Sequence, residues 1–191
     1  GTYWYHSHTN LQEQRGVYGS IVITPKQEAK TWDRELVLVL SDWTDEDPAA
    51  VYARLKKMSH YYNFNERTAP DTWAQIREQG VARTWRDRAM WNRMRMSDSD
   101  IADVTGYTYT YLMNGITPSD GWKGLFKKGE KVLLRVINGS AMTFFDVRIP
   151  GLRMTVVASD GQNIDPVTVD EFRTARAFNL AVDTVSLAVP A

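Results

Sequence analysis

Two of the three histidines in this 191-residue sequence stand one residue apart, His6 and His8, inside Gly1-Thr2-Tyr3-Trp4-Tyr5-His6-Ser7-His8. An aromatic, alternating run of this kind reads as a strand. On a strand, residues i and i+2 face the same side, separated by roughly 6.5–7 Å of rise. Imidazole nitrogen binds divalent metals at about 2.0–2.1 Å and suits copper, zinc, iron and nickel. The pair can therefore lean onto one ion, or serve two neighbouring ions with one ring each. Histidine is also a common surface residue, and the spacing taken alone does not separate the two readings.

Other residues offer weaker chemistry. Met90, Met94 and Met96 fall within seven positions, and thioether sulfur favours copper(I). Met90 and Met94, at i and i+4, equally fit packing on a helix face beside Trp85 and Trp91. His60, beside Tyr61-Tyr62, reads as a packed or surface histidine. Asp42, Asp45, Glu46 and Asp47 carry hard oxygen ligands, yet acidity just ahead of Pro48 is what a helix N-terminus favours without any metal. Asn138-Gly139-Ser140 fits a glycosylation sequon and reads equally as turn chemistry at a strand end. Cysteine is absent, which removes disulfides, thiolate nucleophiles and zinc–thiolate sites together.

These residues need elements to position them. Thr2 to His8 and the β-branched run Val17 to Thr24 read as two strands, punctuated by Gly16 and Gly19 and stopped by Pro25. A polar linker follows at Gln27–Asp33. The Leu36-Val37-Leu38-Val39-Leu40 run then reads as a strand buried on both faces. Pro48 suits the first position of a helix carrying Val51, Leu55 and Met58. A second helix is predicted over Asp71–Gln79, with Trp73 and Ile76 on one side and Gly80 as its stop, and Val81, Trp85 and Ala89 continue into a third. Ser97 with Asp100 resembles a capping box. After Gly106 the period returns to two over Tyr107–Met113, and Asn114-Gly115 turns the chain. Further strands are predicted at Lys131–Ile137, Phe144–Ile149 and Arg153–Ala158. Short strands with turns at this spacing predict a sandwich or barrel, with antiparallel strands through 107–158 and helix and loop through 48–105.

Composition narrows the function classes. The 23 basic and 23 acidic residues cancel, and the Arg-rich run Arg83–Arg95 is interleaved with Asp87, Trp85 and Trp91, so the net basic face that a nucleic-acid partner needs is not expected. No run of eighteen apolar residues exists to span a membrane as a helix. No charged segment followed by an apolar one opens the chain, so no signal peptide is visible. Gly1-Thr2-Tyr3-Trp4-Tyr5 reads as the middle of a strand, which predicts an internal piece of a longer chain.

The histidine string, followed by Gln12, Gly16, Tyr18-Gly19 and Ile21-Val22-Ile23, resembles the second copper-ligand motif of multicopper oxidases. Leu40-Ser41-Asp42-Trp43-Thr44-Asp45-Glu46-Asp47-Pro48, Tyr61-Tyr62-Asn63-Phe64-Asn65 and Asp103-Val104-Thr105-Gly106-Tyr107-Thr108-Tyr109 resemble the copper-resistance protein A branch. So do Tyr111-Leu112-Met113-Asn114-Gly115, Val136-Ile137-Asn138-Gly139-Ser140-Ala141-Met142-Thr143 and Phe145-Asp146-Val147-Arg148-Ile149-Pro150-Gly151. The resemblance runs over residues 1–173.

It implies a mainly β fold, a cupredoxin-like Greek-key β-sandwich with a helical insertion at about 48–105. Residues 1–30 would be the C-terminal strands of a first cupredoxin domain, and 31–191 a second. His6 and His8 would each ligate one copper of the binuclear type 3 pair. The parent would be a periplasmic copper-dependent oxidase of copper(I) or phenolic donors, reducing oxygen to water. Motifs for the first histidine pair and for the type 1 copper, with its cysteine, do not occur here, so the piece alone is expected to be inactive. A non-catalytic copper-binding or structural module is the alternative. Beyond Arg173 the family pattern would run toward Ala-Glu-Thr-Tyr-Asp-Val, whereas this chain reads Thr174-Ala175-Arg176-Ala177-Phe178-Asn179-Leu180. A frame change or a diverged end would both produce this, and closure of the second domain's sheet is the feature at stake.

Overall fold

The computed structural model describes residues 1–26, 32–58, 61–62, 68–89, 93, 109–141, 143–175 and, as backbone, 179–185. His60, the methionines at 90, 94 and 96, and the Ser97–Asp100 pair lie outside the described residues. The chain divides into two compact units, one formed by 1–43 with 110–191 and the other by 44–109.

The first unit is β. Strands β1 (Thr2–His6) and β2 (Tyr18–Val22) pair antiparallel as a two-stranded sheet, Thr2 opposite Val22 and His6 opposite Tyr18. A six-stranded sheet holds β3 (Arg34–Trp43), β4 (Thr110–Met113), β5 (Val132–Asn138), β7 (Arg153–Ser159), β8 (Gln162–Val169) and β10 (Asn179–Val185). Its order is β4-β3-β5-β10-β7-β8. The third sheet pairs β6 (Phe145–Arg148) with β9 (Glu171–Thr174).

Alternation on β5 sets the layers. Val132, Leu134 and Val136 join Leu38, Leu40, Met154 and Val156 in the main core, against which Phe145 and Val147 of β6 and Phe172 of β9 pack. Leu133 turns to the other face and meets Val157 and Trp32. Arg135 shares Leu133's side and donates from Nη1 to the Thr2 hydroxyl of β1 at 2.9 Å. The β1–β2 hairpin is thereby tied to the sheet face opposite β6–β9, which gives the sandwich character expected for this pattern of short strands. Tyr3 reinforces the tie. Its ring lies over Gly161 in the β7–β8 turn, where an added Cβ would meet it at 2.4 Å and φ is +77°, so only glycine fits.

Three differences from the sequence reading have physical causes. The strand buried on both faces is β5, fully buried along its length, whereas in β3 Val37 and Val39 are only half-buried. The sheet is mixed: β3 and β5 run parallel, Arg34 opposite Val132 and Leu40 opposite Asn138. A parallel pair needs a long crossover, and here that connection contains the helices and β4. Third, the residues after Arg173 do not leave the sheet open. Backbone 179–185 pairs antiparallel with both β5 and β7 and fills the sheet's middle. No sequence pattern announces strands β8 and β9. Pro166 interrupts β8 and marks an edge strand with an irregular register opposite Val156–Ala158, where a missing N–H is tolerated.

In the second unit, α1 (Pro48–Lys57) starts behind Asp47 with proline in its first turn, and α2 (Ala69–Gln79) begins with a capping box between Thr68 and Asp71. Gly80, at φ +85°, ends α2 and precedes α3 (Val81–Asp87). The helical insertion is thus present, and the described part of 48–105 carries no strand. Among the described residues, no helix is long and apolar enough to cross a membrane.

Candidate metal centre

Strand β1 delivers His6 at its last position, and His8 follows two residues beyond the strand's end. The rings of Trp4, His6 and His8 lie side by side, as alternation requires of Trp4 and His6 within the strand. Trp4 stacks on His6 with ring centres 4.1 Å apart and planes inclined by 5°. His6 and His8 stand 4.5 Å apart, inclined by 37°. That separation is well below the roughly 6.6 Å rise of two strand residues, so the rings lean toward each other. His8 is exposed, and His6 is 25% exposed.

The connection between β1 and β2 is closed by its own hydrogen bonds. The Ser7 N–H donates to Val17 O at 3.0 Å, and the Ser7 hydroxyl donates to Gln12 Oε1 at 2.7 Å. A single 3₁₀ turn, Glu13–Arg15, is capped by Gly16 at φ +90°, whose N–H donates to Glu13 O. The turn points Glu13 back at the strand. Its Oε2 lies 3.0 Å from His6 Nδ1, while Oε1 is buried without a hydrogen-bond partner among the described residues. The sequence reading does not single out Glu13, because a separation of seven residues across a turn carries no periodic signal.

The remaining candidates resolve into structure. Asp42 accepts from the Ala141 N–H at 2.9 Å and the Thr143 hydroxyl at 2.7 Å. Glu46 pairs with Arg54, and the buried Tyr62 phenol donates to it at 3.0 Å. Asp42 and Glu46 therefore serve separate partners, and no group of three or more metal-competent side chains occurs among the described residues. Asn138 and Ser140 are fully buried. Asn138 Oδ1 accepts from the Ser140 N–H and hydroxyl, and Nδ2 donates to the carbonyls of Thr143 and Thr174. The sequon is a turn lock, with no amide nitrogen open to a glycan.

What remains is two neighbouring imidazoles on one edge of a hairpin, one oriented by a carboxylate. Two neutral imidazoles fit copper as a donor set. The family pattern described as multicopper oxidase matches residues 34–182, and a second of the same description matches residues 1–28. The chain belongs to the multicopper oxidase family. It is 59% identical to Copper resistance protein A of Escherichia coli over 93% of this chain and 29% of that protein. With Multicopper oxidase MmcO of Mycobacterium tuberculosis it shares 32% over 89% of this chain and 31% of the relative. The chain thus spans about 30% of the length of the curated relatives it matches. Among solved structures, Fet3p, a multicopper oxidase that functions in iron import, superposes at a TM-score of 0.66 and 21% identity, covering 96% of this chain and 27% of that one. The blue copper oxidase of Nitrosomonas europaea gives 0.60 at 20%, covering 97% and 46%. These likenesses carry the cupredoxin fold. Copper is the metal this family implies, and the sequence places the chain in the copper-resistance protein A branch.

Proposed function

We propose that His6 and His8 each ligate one copper of a binuclear type 3 pair in a copper-dependent oxidase. The whole protein would oxidise copper(I) or phenolic donors in the periplasm and reduce oxygen to water. The observation that supports this reading is the pair of rings 4.5 Å apart at the end of β1, close enough to serve two adjacent ions. Copper bound there would accept electrons singly and make oxygen reduction possible. The chain's own part is narrower: β1 presents the rings, Trp4 covers one face of His6, and Glu13 holds its Nδ1.

Residues 1–30 would complete a first cupredoxin domain and 31–191 a second. Two observations support that division: β1 and β2 form a sheet of their own, and Val17, Ile21, Val22 and Ile23 of this hairpin are exposed. The chain alone would bind copper without turning over, since four-electron chemistry in this family enters through a thiolate-supported type 1 site and the sequence holds no cysteine. The test is to load the purified chain with copper(II), then record absorption and oxygen uptake with a phenolic donor and with copper(I). Copper binding that disappears in His6→Ala and His8→Ala, with no intense blue band and no turnover above free copper, is expected. Binding untouched by both substitutions would refute the ligand assignment, and turnover would refute the claim that further copper sites are required.

A further inference from the structure

We infer that Glu13 is a positioning residue for this copper site, holding His6 in the tautomer whose Nε2 lone pair is free for the metal. The inference rests on the reading of His6 as a copper ligand. A carboxylate only accepts hydrogen bonds, so the 3.0 Å contact between Glu13 Oε2 and His6 Nδ1 places the imidazole proton on Nδ1. The lone pair then sits on Nε2, at the other end of the ring. A neutral imidazole without such a partner distributes its proton over both nitrogens, and only part of the population presents a ligand at Nε2.

Several features make this a built arrangement and not a chance surface pair. The Glu13 side chain is 11% exposed. Its backbone is fixed by the 3₁₀ turn, with the Gly16 N–H on Glu13 O at 3.0 Å and the Val17 N–H on Gln12 O at 3.0 Å. Oε1 has no hydrogen-bond partner among the described residues, so a flip of the His6 ring would leave both oxygens of a largely buried carboxylate without a donor. That is an expensive state for a charged group. Trp4, parallel to His6 at 4.1 Å, resists tilting of the ring from its other side. Tautomer and ring plane are therefore set before any metal arrives. Outer partners of metal-bound histidines act in this way and their removal costs about 10- to 100-fold in metal affinity.

The test uses the full chain with ¹⁵N-labelled histidine, reading the His6 tautomer by long-range proton–nitrogen correlation in the metal-free protein. Copper(II) affinity is then measured by competition with a chelator. Wild type should carry its proton on Nδ1. Glu13→Ala should lose that preference and bind copper(II) about 10- to 100-fold more weakly. Glu13→Gln keeps an acceptor oxygen and should retain the tautomer, with a loss below about tenfold. A wild-type proton on Nε2 overturns the inference, as does Glu13→Ala with unchanged tautomer and affinity. If Glu13→Ala disturbs the turn itself, the wild-type tautomer and the Glu13→Gln titration still decide. Copper lost in His6→Ala but kept in Glu13→Ala removes only the role of Glu13. Copper kept in His6→Ala removes the ligand reading beneath it.

Discussion

Replacing Thr2 by valine should loosen the hairpin that carries the histidines while leaving the rest of the sheet intact. Thr2 is 3% exposed and Arg135 is 7% exposed. The Thr2 hydroxyl accepts from Arg135 Nη1 at 2.9 Å, and Glu35 takes the other side of the guanidinium at 2.9 Å. A hydrogen bond to a charged group contributes about 1.5–3 kcal/mol. Valine fills nearly the same space, and its extra buried methyl offsets about 0.8 kcal/mol. The net cost is therefore about 1–2 kcal/mol, charged to the opening of β1–β2 because Thr2 lies on that hairpin. Amide hydrogen exchange across residues 2–22 should accelerate by about 5- to 30-fold, with peptides from β5 and β7 unchanged. Thr2→Ser keeps the hydroxyl and should stay within about threefold of wild type. If Thr2→Val exchanges like wild type across 2–22, or if β5 accelerates equally, the Arg135 contact does not anchor the hairpin.

Asn138→Ala removes four hydrogen bonds from a fully buried turn and leaves the Ser140 N–H without its acceptor, so urea unfolding should show a loss of about 2–4 kcal/mol; a loss below about 1 kcal/mol would mean the turn repacks. Stability should also fall in acid. Hydrogen bonds from Arg173 hold the Asp146 carboxyl below its ordinary range, the Lys127 N–H and Arg34 do so for Glu130, and Thr68 does so for Asp71. A depressed folded-state pKa gives stability that is full above the unfolded value and lost as pH falls through the folded one. The urea midpoint should be flat near neutrality and drop below about pH 4. Asp146→Asn should flatten that drop, and an unchanged acid slope would exclude the Arg173 pair as a contributor.

Much of the architecture is legible in residue order because its signals are local. The Tyr107–Met113 alternation, the Asn114-Gly115 turn, Pro48 and the Gly80 stop each describe a few neighbouring residues. The structure places a strand at 110–113, a positive φ at Asn114, and helix ends at Pro48 and Gly80. The strand at 162–169 is hidden because Pro166 breaks the pattern that announces strands, and its place at the sheet edge is what makes proline acceptable. The segment after Arg173 is expected from the resemblance to leave the sheet open, yet the multicopper oxidase pattern extends to residue 182 and the backbone of 179–185 pairs with β5 and β7, since sheet pairing is made by backbone groups that every residue other than proline carries in full.

The division is sharpest at the metal centre. Sequence alone led to the expectation that two imidazoles share a side, from the period of two at Trp4, His6 and His8, but the strand ends at His6 and only the structure brings the His8 ring beside it. Sequence alone also settled the absence of a thiolate, and through it the kind of copper site this chain cannot form. Only the tertiary structure decided which nitrogen of His6 is held and by what, because the turn through Gly16 brings Glu13 back across seven residues. Only it decided that Arg135 reaches Thr2 across 133 positions of sequence. Contacts between residues far apart in the chain depend on where whole elements pack, and no local pattern of residue types encodes that distance.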